Sequence, residues 1–202
     1  MAPVNVRAVT STDHLLALIR DTPGIADLLH SSFEFGVFRN EHGEAVRVSS
    51  GAALEAIAGD LAGGTFFLCH DEDGHRPVVF ASSEGQGGLI ADDLKAALEI
   101  ITGLAVWQDC LKFSDGGRSE VMEATASLLE GDLIRDEPKI AEHRARIAAA
   151  LSLRQVSVTE LVSRLQSAVA RTEPGHVVVT ESGDEYESLF GTFLPTDNPS
   201  WR

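Results

Sequence analysis

One stretch of this 202-residue chain, residues 63–114, constrains the fold more than any other. Two apolar runs, at residues 65–69 and 77–81, lie on either side of an acidic turn that ends at Gly74. A glycine-containing loop follows at residues 82–88, and beyond it apolar residues recur at helical spacing. Short apolar runs bounded by turn residues are typical of buried strands. The stretch therefore predicts a β-hairpin, a short third strand at Leu89 and Ile90, and one long helix.

The sequence on either side of this stretch has a mainly helical pattern, in which apolar residues recur every three or four positions. In chain order the other expected elements are one or two helices over residues 10–30, strands at 33–37 and 45–48, a helix from Ser49 or Ser50 to Leu61, helices near 119–129, 137–153 and 158–170, and a strand-like run at 177–179 followed by a turn.

These elements predict an α+β fold: a mixed or antiparallel sheet flanked by helices, with a mainly helical C-terminal extension. The best candidate for a boundary is Asp115-Gly116-Gly117, because two adjacent glycines interrupt the helical pattern there. We therefore expect an α+β domain over residues 10–115. Residues 116–202 form the helical extension, which ends in a short strand pair.

The net charge is the most informative feature of the composition. The chain has 31 acidic and 16 basic residues, a formal net charge of −15 and a pI near 4.7. Such a surface repels nucleic acids and anionic lipids and attracts basic partners. The sequence therefore predicts a protein partner, with no binding to nucleic acid or membrane.

The sequence also indicates a cytoplasmic protein. No run approaches the roughly 20 consecutive apolar residues that a membrane-spanning helix needs, and the N-terminus lacks the apolar core of a signal peptide. Two cysteines do not make a disulfide framework, so reduced thiols are expected.

A metal site is the first chemistry to consider, because Cys69, His70, His75 and Cys110 include the ligand types of zinc. Side chains alternate along a strand, so Cys69 and His70 point to opposite faces of the sheet. The acidic turn also lacks the later glutamate that a calcium loop requires. We expect no metal and no other cofactor.

The loop at residues 82–88 could be part of a phosphate site or a hydrolase, since it combines serines with glycines. A phosphate-binding loop needs Lys and Ser or Thr after its last glycine, whereas Leu89 and Ile90 stand there. Asp92 and Asp93 would repel a phosphate at the following helix. No Gly-x-Ser-x-Gly turn is present to activate a serine. The sequence therefore predicts no enzyme and no catalytic residue.

The two helices expected at residues 137–153 and 158–170 resemble a helix-turn-helix, and the strand-like run after them resembles a wing. The second helix carries few side chains that could donate to base edges, and the chain as a whole is strongly acidic. A helical hairpin packed on the domain is the better interpretation.

Residues 63–114, about a quarter of the chain, resemble the core of the SUKH superfamily, which comprises bacterial immunity proteins and yeast cell-wall regulators with one α+β fold. The residues that carry this resemblance are Gly63 and Gly64, the aromatic strand Phe66-Phe67-Leu68, the acidic turn, the strand Val78-Val79-Phe80, the loop from Glu84 to Gly88 and the helix that begins near Ile90.

The resemblance implies a non-enzymatic scaffold that docks a protein partner. In the immunity branch that partner is a toxin, which is neutralised by occlusion, and an acidic surface suits a basic toxin domain. The candidate partner-binding residues are the acids of the turn and the loop: Asp71, Glu72, Asp73 and Glu84. The alternative is a structural or regulatory protein that homodimerises through its apolar helices. A small enzyme that acts at residues 82–88 ranks third.

Overall fold

The computed structural model describes residues 11–39, 44–70 and 74–201. In this part of the chain the helices are α1 Ser11–Asp21, α2 Ile25–Phe33, α3 Leu94–Gly103, α4 Trp107–Lys112, α5 Ser119–Asp136, α6 Ile140–Leu151 and α7 Val158–Ala170. The strands are β1 Val46–Val48, β2 Ala53–Gly59, β3 Thr65–His70, β4 Val78–Ala81, β5 Gly87–Ala91 and β6 Val178–Thr180, and two 3₁₀ turns follow at Pro195–Asp197 and Pro199–Trp201.

The main sheet is an antiparallel meander in the order β2-β3-β4-β5. The predicted strands of the hairpin pair with each other, with Phe66 opposite Phe80. The predicted strand at Leu89 and Ile90 is part of β5, which pairs with β4. The fold is therefore α+β with an antiparallel sheet and a helical C-terminal region, as the sequence predicted.

Both faces of the main sheet are buried, and the alternation of β3 shows why. Phe66 and Leu68 point into a large core that the helices cover, whereas Phe67 and Cys69 point into a smaller core on the other face. All four side chains are at most 6% exposed. Because four consecutive residues of this strand are apolar, both of its faces must be covered by other parts of the molecule.

A second, two-stranded sheet covers the smaller core. Strand β1 pairs antiparallel with β6, which places Val48 opposite Val178 although the two residues are far apart in sequence. Both valines are buried against Val79 and Leu89 of the main sheet. After β6 the chain turns back and forms a single bridge between Val179 and Glu185.

The strand predicted at residues 33–37 is wrong. Helix α2 continues to Phe33, and Glu34 then adopts a left-handed conformation, with φ of 51°, that ends the helix. Phe35 and Val37 are buried in the segment that follows, where Gly36 forms one bridge to Gly59. The alternation of apolar residues predicted their burial correctly, but an irregular segment produces that burial here.

The helix predicted from Ser49 or Ser50 to Leu61 is also wrong, because most of this segment is strand β2. Its alanine, leucine and glutamate residues favour helix intrinsically. Pairing with β3 overrides that preference, and an irregularity between Ala56 and Ala58 turns Ile57 into the large core.

The C-terminal helices share the large core with the N-terminal part of the chain. Helix α6 packs on α2, whereas α7 packs on β5, α5 and α3, so the two helices do not form the expected hairpin with each other. A buried ion pair holds α3 to α7: Glu99, only 6% exposed, accepts from Arg164 Nη1 at 2.9 Å and from the backbone N–H of Arg154 at 2.9 Å.

The chain beyond Glu185 forms a strap, residues 187–193, that runs from the sheet to the helices. Glu187 exchanges backbone hydrogen bonds with Gly85 and Gly87 in the β4–β5 loop and β5. Further along, the Gly191 N–H donates to the Leu111 carbonyl at 3.0 Å, and its carbonyl accepts from Gly116 at 2.9 Å. The strap therefore connects β5 with the end of α4 through main-chain contacts.

None of the helices in the described residues combines the length and the apolar composition that a membrane crossing requires.

Replacement of Gly191 by Ala tests the attachment of the strap. A Cβ atom at this position would lie against the Lys112 carbonyl oxygen and 2.7 Å from its Cα. Backbone atoms of a helix end cannot move aside easily, so we expect Gly191→Ala to destabilise the fold by about 1–3 kcal/mol in urea unfolding.

The matched control is Gly131→Ala in α5, where nothing lies within 4 Å of the added Cβ. This change should stabilise the protein by about 0.5–1 kcal/mol, since alanine is the better helix former. Equal effects of the two substitutions would show that the strap does not press against α4.

Candidate functional site

The structure describes one of the four acids that the sequence predicted as partner-binding residues. Glu84 is exposed in the loop between β4 and β5. Asp71, Glu72 and Asp73 lie outside the described residues. The geometry of the predicted surface is therefore built from Glu84 and its neighbours.

The loop that carries Glu84 is held in shape by its own serines. The Ser82 hydroxyl oxygen accepts from the backbone N–H groups of Glu84 at 3.3 Å and Gln86 at 3.0 Å. The neighbouring Ser83 hydroxyl donates to the Ala62 carbonyl at 2.8 Å, which connects this loop to the turn after β2. Glu84 therefore projects from a structured loop.

Glu84 stands at the edge of a cavity of about 390 Å³. Four separate parts of the chain form its walls: the turn after β2, the β4–β5 loop, helix α4 and the strap. These parts are distant in sequence and meet only because the meander and the strap place them side by side.

Aromatic rings form the apolar part of the cavity wall. Phe80 and Trp107 both line it, although they are only 2% and 3% exposed. Their rings meet edge to face, with centroids 5.1 Å apart, and Phe66 packs against Phe80 at 4.9 Å. Ring pairs of this geometry are stabilising and restrict one another, so this wall is rigid.

Asp60 is the most buried acid in the cavity wall, at 2% exposure. One carboxylate oxygen accepts from the Gly64 N–H at 2.6 Å and the other from Gln108 Nε2 at 3.0 Å. Both donors are neutral. Gly64 is required at this turn, because a Cβ would lie 2.5 Å from Phe80 and 2.7 Å from Asp60.

Two further carboxylates lie close to Asp60. Asp109, in the first turn of α4, lines the cavity, and Glu34 is half-buried at the end of α2. Burial raises the pKa of Glu34, and the nearby charges of Asp60 and Asp109 raise it further. The carboxylates of Asp60 and Asp109 therefore repel that of Glu34.

No cation inside the described structure balances these three acids. None of the ion pairs among the described residues includes Glu34, Asp60 or Asp109. Lys112 also lines the cavity, but its side chain is exposed and its Nζ lies over the Phe113 ring, 5.6 Å from the centroid. The cavity is therefore acidic, with one cation at its edge.

Two larger clefts of about 570 and 600 Å³ are less promising as sites. They adjoin each other at Asp92, Asp93 and Arg171. The Arg171 guanidinium is already paired with Asp92 at 2.8 Å, and Arg164 in the first cleft is paired with Glu99. These pairs offset much of the charge in the clefts, whereas the acids of the smaller cavity form no ion pair with another described residue.

The cysteines and histidines do not come together as a site. Cys69 and Cys110 are buried, and His70 Nε2 lies 3.1 Å from Glu55 on the neighbouring strand. Burial and the nearby Asp109 raise the pKa of the Cys110 thiol to about 12. Within residues 11–39, 44–70 and 74–201, no group of three or more His, Cys, Asp or Glu side chains could hold a metal ion.

Most of the residues that line this cavity could not be predicted from the sequence. Asp60 falls in the segment that was predicted as a helix, and only its position before Gly63-Gly64 indicates a turn. Gln108 and Asp109 are adjacent polar residues in an otherwise apolar helical stretch, which is a usable signal of a wall that faces a cavity. Nothing local marks Glu34 or the strap.

Comparisons of the chain with protein-family models, with curated proteins and with solved structures find no match.

The raised pKa of Glu34 predicts a pH-dependent effect of Glu34→Gln. A carboxyl group whose pKa is raised in the folded state costs stability once pH rises above its ordinary value of 4.5, and the full cost is reached above the folded-state pKa. We expect the variant to be more stable than the wild type at neutral pH. The difference should shrink as pH falls through the folded-state pKa of Glu34 and should be lost below its ordinary value of 4.5, as measured by urea unfolding across this range.

Glu181→Gln, at an exposed position in the turn after β6, is the matched control and should change stability at neutral pH by less. A Glu34→Gln variant that is less stable than the wild type at neutral pH would contradict the repulsion of Glu34 by Asp60 and Asp109.

The burial of both thiols predicts that neither reacts in the folded protein. Cys69 and Cys110 are 0% and 1% exposed, and a thiol reacts through its thiolate. A thiol-specific reagent should label no cysteine under native conditions and both after unfolding in urea. Rapid labelling of one thiol in the folded protein would show that this cysteine is accessible to solvent. A role of that cysteine as a nucleophile would then have to be considered.

Proposed function

We propose that this protein is a non-enzymatic, acidic protein-binding module of the cytoplasm, an immunity protein that neutralises a basic toxin domain by covering it. The observation that carries the proposal is the uncompensated acidity of the cavity. Asp60 and Asp109 line the cavity, and their charges raise the pKa of the nearby Glu34. Glu84 lies at the edge of the cavity, where Lys112 supplies a cation.

The charge of the whole chain supports a basic partner. A net charge of −15 creates a long-range field that attracts positively charged proteins and repels nucleic acids. Complementary charge raises the association rate and selects against wrong partners. An inhibitor that must capture a toxin quickly benefits from both effects.

The rigidity of the cavity supports a binding role as well. The Ser82 turn, the Asp60–Gly64 hydrogen bond and the main-chain contacts of the strap hold the walls in place before any partner arrives. A surface that is ordered in advance loses less conformational entropy on binding.

The serines of the loop support a non-enzymatic role. A nucleophilic serine needs a base within hydrogen-bonding distance of its hydroxyl. The contacts of Ser82 and Ser83 are instead with backbone groups, which stabilise the turn. The burial of both cysteines removes the other common nucleophile from the surface.

The resemblance of residues 63–114 to the SUKH superfamily agrees with this proposal, since it implies a protein-docking α+β scaffold. Fold class by itself does not establish function. The proposal therefore relies on the charge and shape of the cavity, and the resemblance indicates which kind of partner to test first.

Charge reversal at the cavity tests the proposal directly. The probe is the product of a toxin gene adjacent to the gene of this protein, purified as its basic domain. The double substitution Glu84→Lys and Asp109→Lys should weaken binding at least tenfold, about 1.4 kcal/mol, because it places like charges against the partner. Binding is measured by calorimetry at two salt concentrations, and the wild-type affinity should fall as salt rises.

The control is Glu142→Lys with Glu181→Lys, which changes the net charge equally at exposed positions on α6 and after β6. It should retain most of the wild-type affinity. Equal loss in both variants would show that net charge alone acts and would exclude this cavity as the binding site. If light scattering finds a stable homodimer and the toxin domain does not bind, the structural or regulatory alternative replaces the proposal.

A further inference from the structure

We infer that the cavity receives the guanidinium group of a single arginine side chain from the partner. This inference rests on the proposed function, because it names the group by which the partner is anchored. Size, charge, the aromatic wall and the exposed edge of the cavity each support it.

The size of the cavity suits one long side chain. Its volume of about 390 Å³ lies at the small end of the range of roughly 300–1,000 Å³ that ligand sites occupy. A protein surface cannot enter such a space, but one extended side chain can.

The charge of the cavity favours a cation. Asp60 is only 2% exposed, and its hydrogen-bond donors, Gly64 and Gln108, are neutral. A buried carboxylate without an opposite charge is costly, and a cation that enters offsets this cost through charge-assisted hydrogen bonds. Asp109 supplies a second carboxylate on the same wall.

The aromatic wall favours a guanidinium over a metal ion. A planar guanidinium can stack on aromatic rings while its N–H groups donate to carboxylates in the same plane. Phe193, which lines the cavity and is 50% exposed, supplies a ring that a guanidinium can reach, and Asp60 and Asp109 supply the acceptors. Phe80 and Trp107 are almost fully buried and form the apolar part of the wall. A hard metal ion would gain nothing from the rings, and no metal-binding group of three side chains occurs in the described part of the chain.

The edge of the cavity indicates that the arginine belongs to a protein. Phe193 on the strap lines the cavity and is 50% exposed, and Glu84 is exposed opposite it in the β4–β5 loop. A small free ligand would leave much of this aromatic ring exposed to solvent. A protein surface around the inserted arginine would cover it, as in interfaces where one buried anchor is surrounded by contacts that exclude water.

The probe for this inference is N-acetyl-arginine amide, and its uncharged isostere N-acetyl-citrulline amide is the matched ligand control. We expect the arginine compound to shift the indole NMR signal of Trp107 saturably, with a Kd on the order of millimolar. The citrulline compound should not, because it has the same shape without the charge. N-acetyl-lysine amide should bind more weakly than the arginine compound, because an ammonium lacks the planar fork of a guanidinium.

Two substitutions are expected to change the affinity for the arginine compound in opposite directions, which identifies the sign of the ligand charge. Asp109→Asn should weaken the binding of the arginine compound several-fold, since a carboxylate is lost while the side chain keeps its shape. Lys112→Gln should strengthen it, because it removes the cation that lines the cavity. Glu181→Gln, at an exposed position that does not line the cavity, should leave the affinity unchanged.

The arginine inference falls if the arginine compound gives no saturable response, if citrulline binds equally well, or if Lys112→Gln weakens binding. These results leave the proposed function intact when the toxin domain still binds the wild type and fails to bind the Glu84→Lys, Asp109→Lys variant. If the toxin domain binds that variant with wild-type affinity, the cavity is excluded as the toxin-binding site, regardless of whether the arginine compound binds.

Discussion

The burial of strand β3 on both faces is the constraint on which the rest of the structure depends. Phe66 and Leu68 require helices on one side, and Phe67 and Cys69 require a second layer on the other. Burying apolar surface on this scale is the main driving force of folding. It brings helices from both halves of the chain to one face and the β1–β6 sheet to the other. The pairing of β1 with β6 then fixes where the chain emerges and directs the strap across the end of the sheet.

The acidic cavity is a consequence of the same arrangement. The turn from β2 to β3 places Asp60 in the wall of the cavity with the aromatic rings of the large core, and α4 places Asp109 in the same wall. Burial and the nearby charges of Asp60 and Asp109 raise the pKa of Glu34, which costs stability in the free protein. Local groups that oppose folding often lie where a partner is bound, because binding relieves the cost. We therefore interpret the converging carboxylates as a site, whereas the paired charges of Glu99 and Arg164 connect two helices.

The hairpin and the start of the helix after it could be predicted from the sequence because their signals are local, but the one long helix that was predicted is two helices, α3 and α4, with a break after Gly103. Strands β3 and β4 are short apolar runs, and Asp93 caps α3 by accepting from the Ala96 N–H at 2.7 Å. Strand β2 could not be predicted, because its composition favours helix and only the neighbouring β3 makes it a strand. Of the cavity, Glu84 was predicted from its loop. Asp60, Asp109 and the strap were missed, since they become neighbours only in the folded chain.

The sequence by itself determined the fold class, the burial of nearly every apolar run and the acidity of the surface, because hydrophobic periodicity and charge are properties of each residue and its immediate neighbours. The tertiary structure decided which strand pairs with which, that β1 and β6 meet across most of the chain length, and that four distant segments enclose one cavity. Long-range pairing depends on the total free energy of the packed chain and leaves little trace in any short window. For the same reason, only the folded protein shows that Asp60 and Asp109 form no ion pair with another described residue.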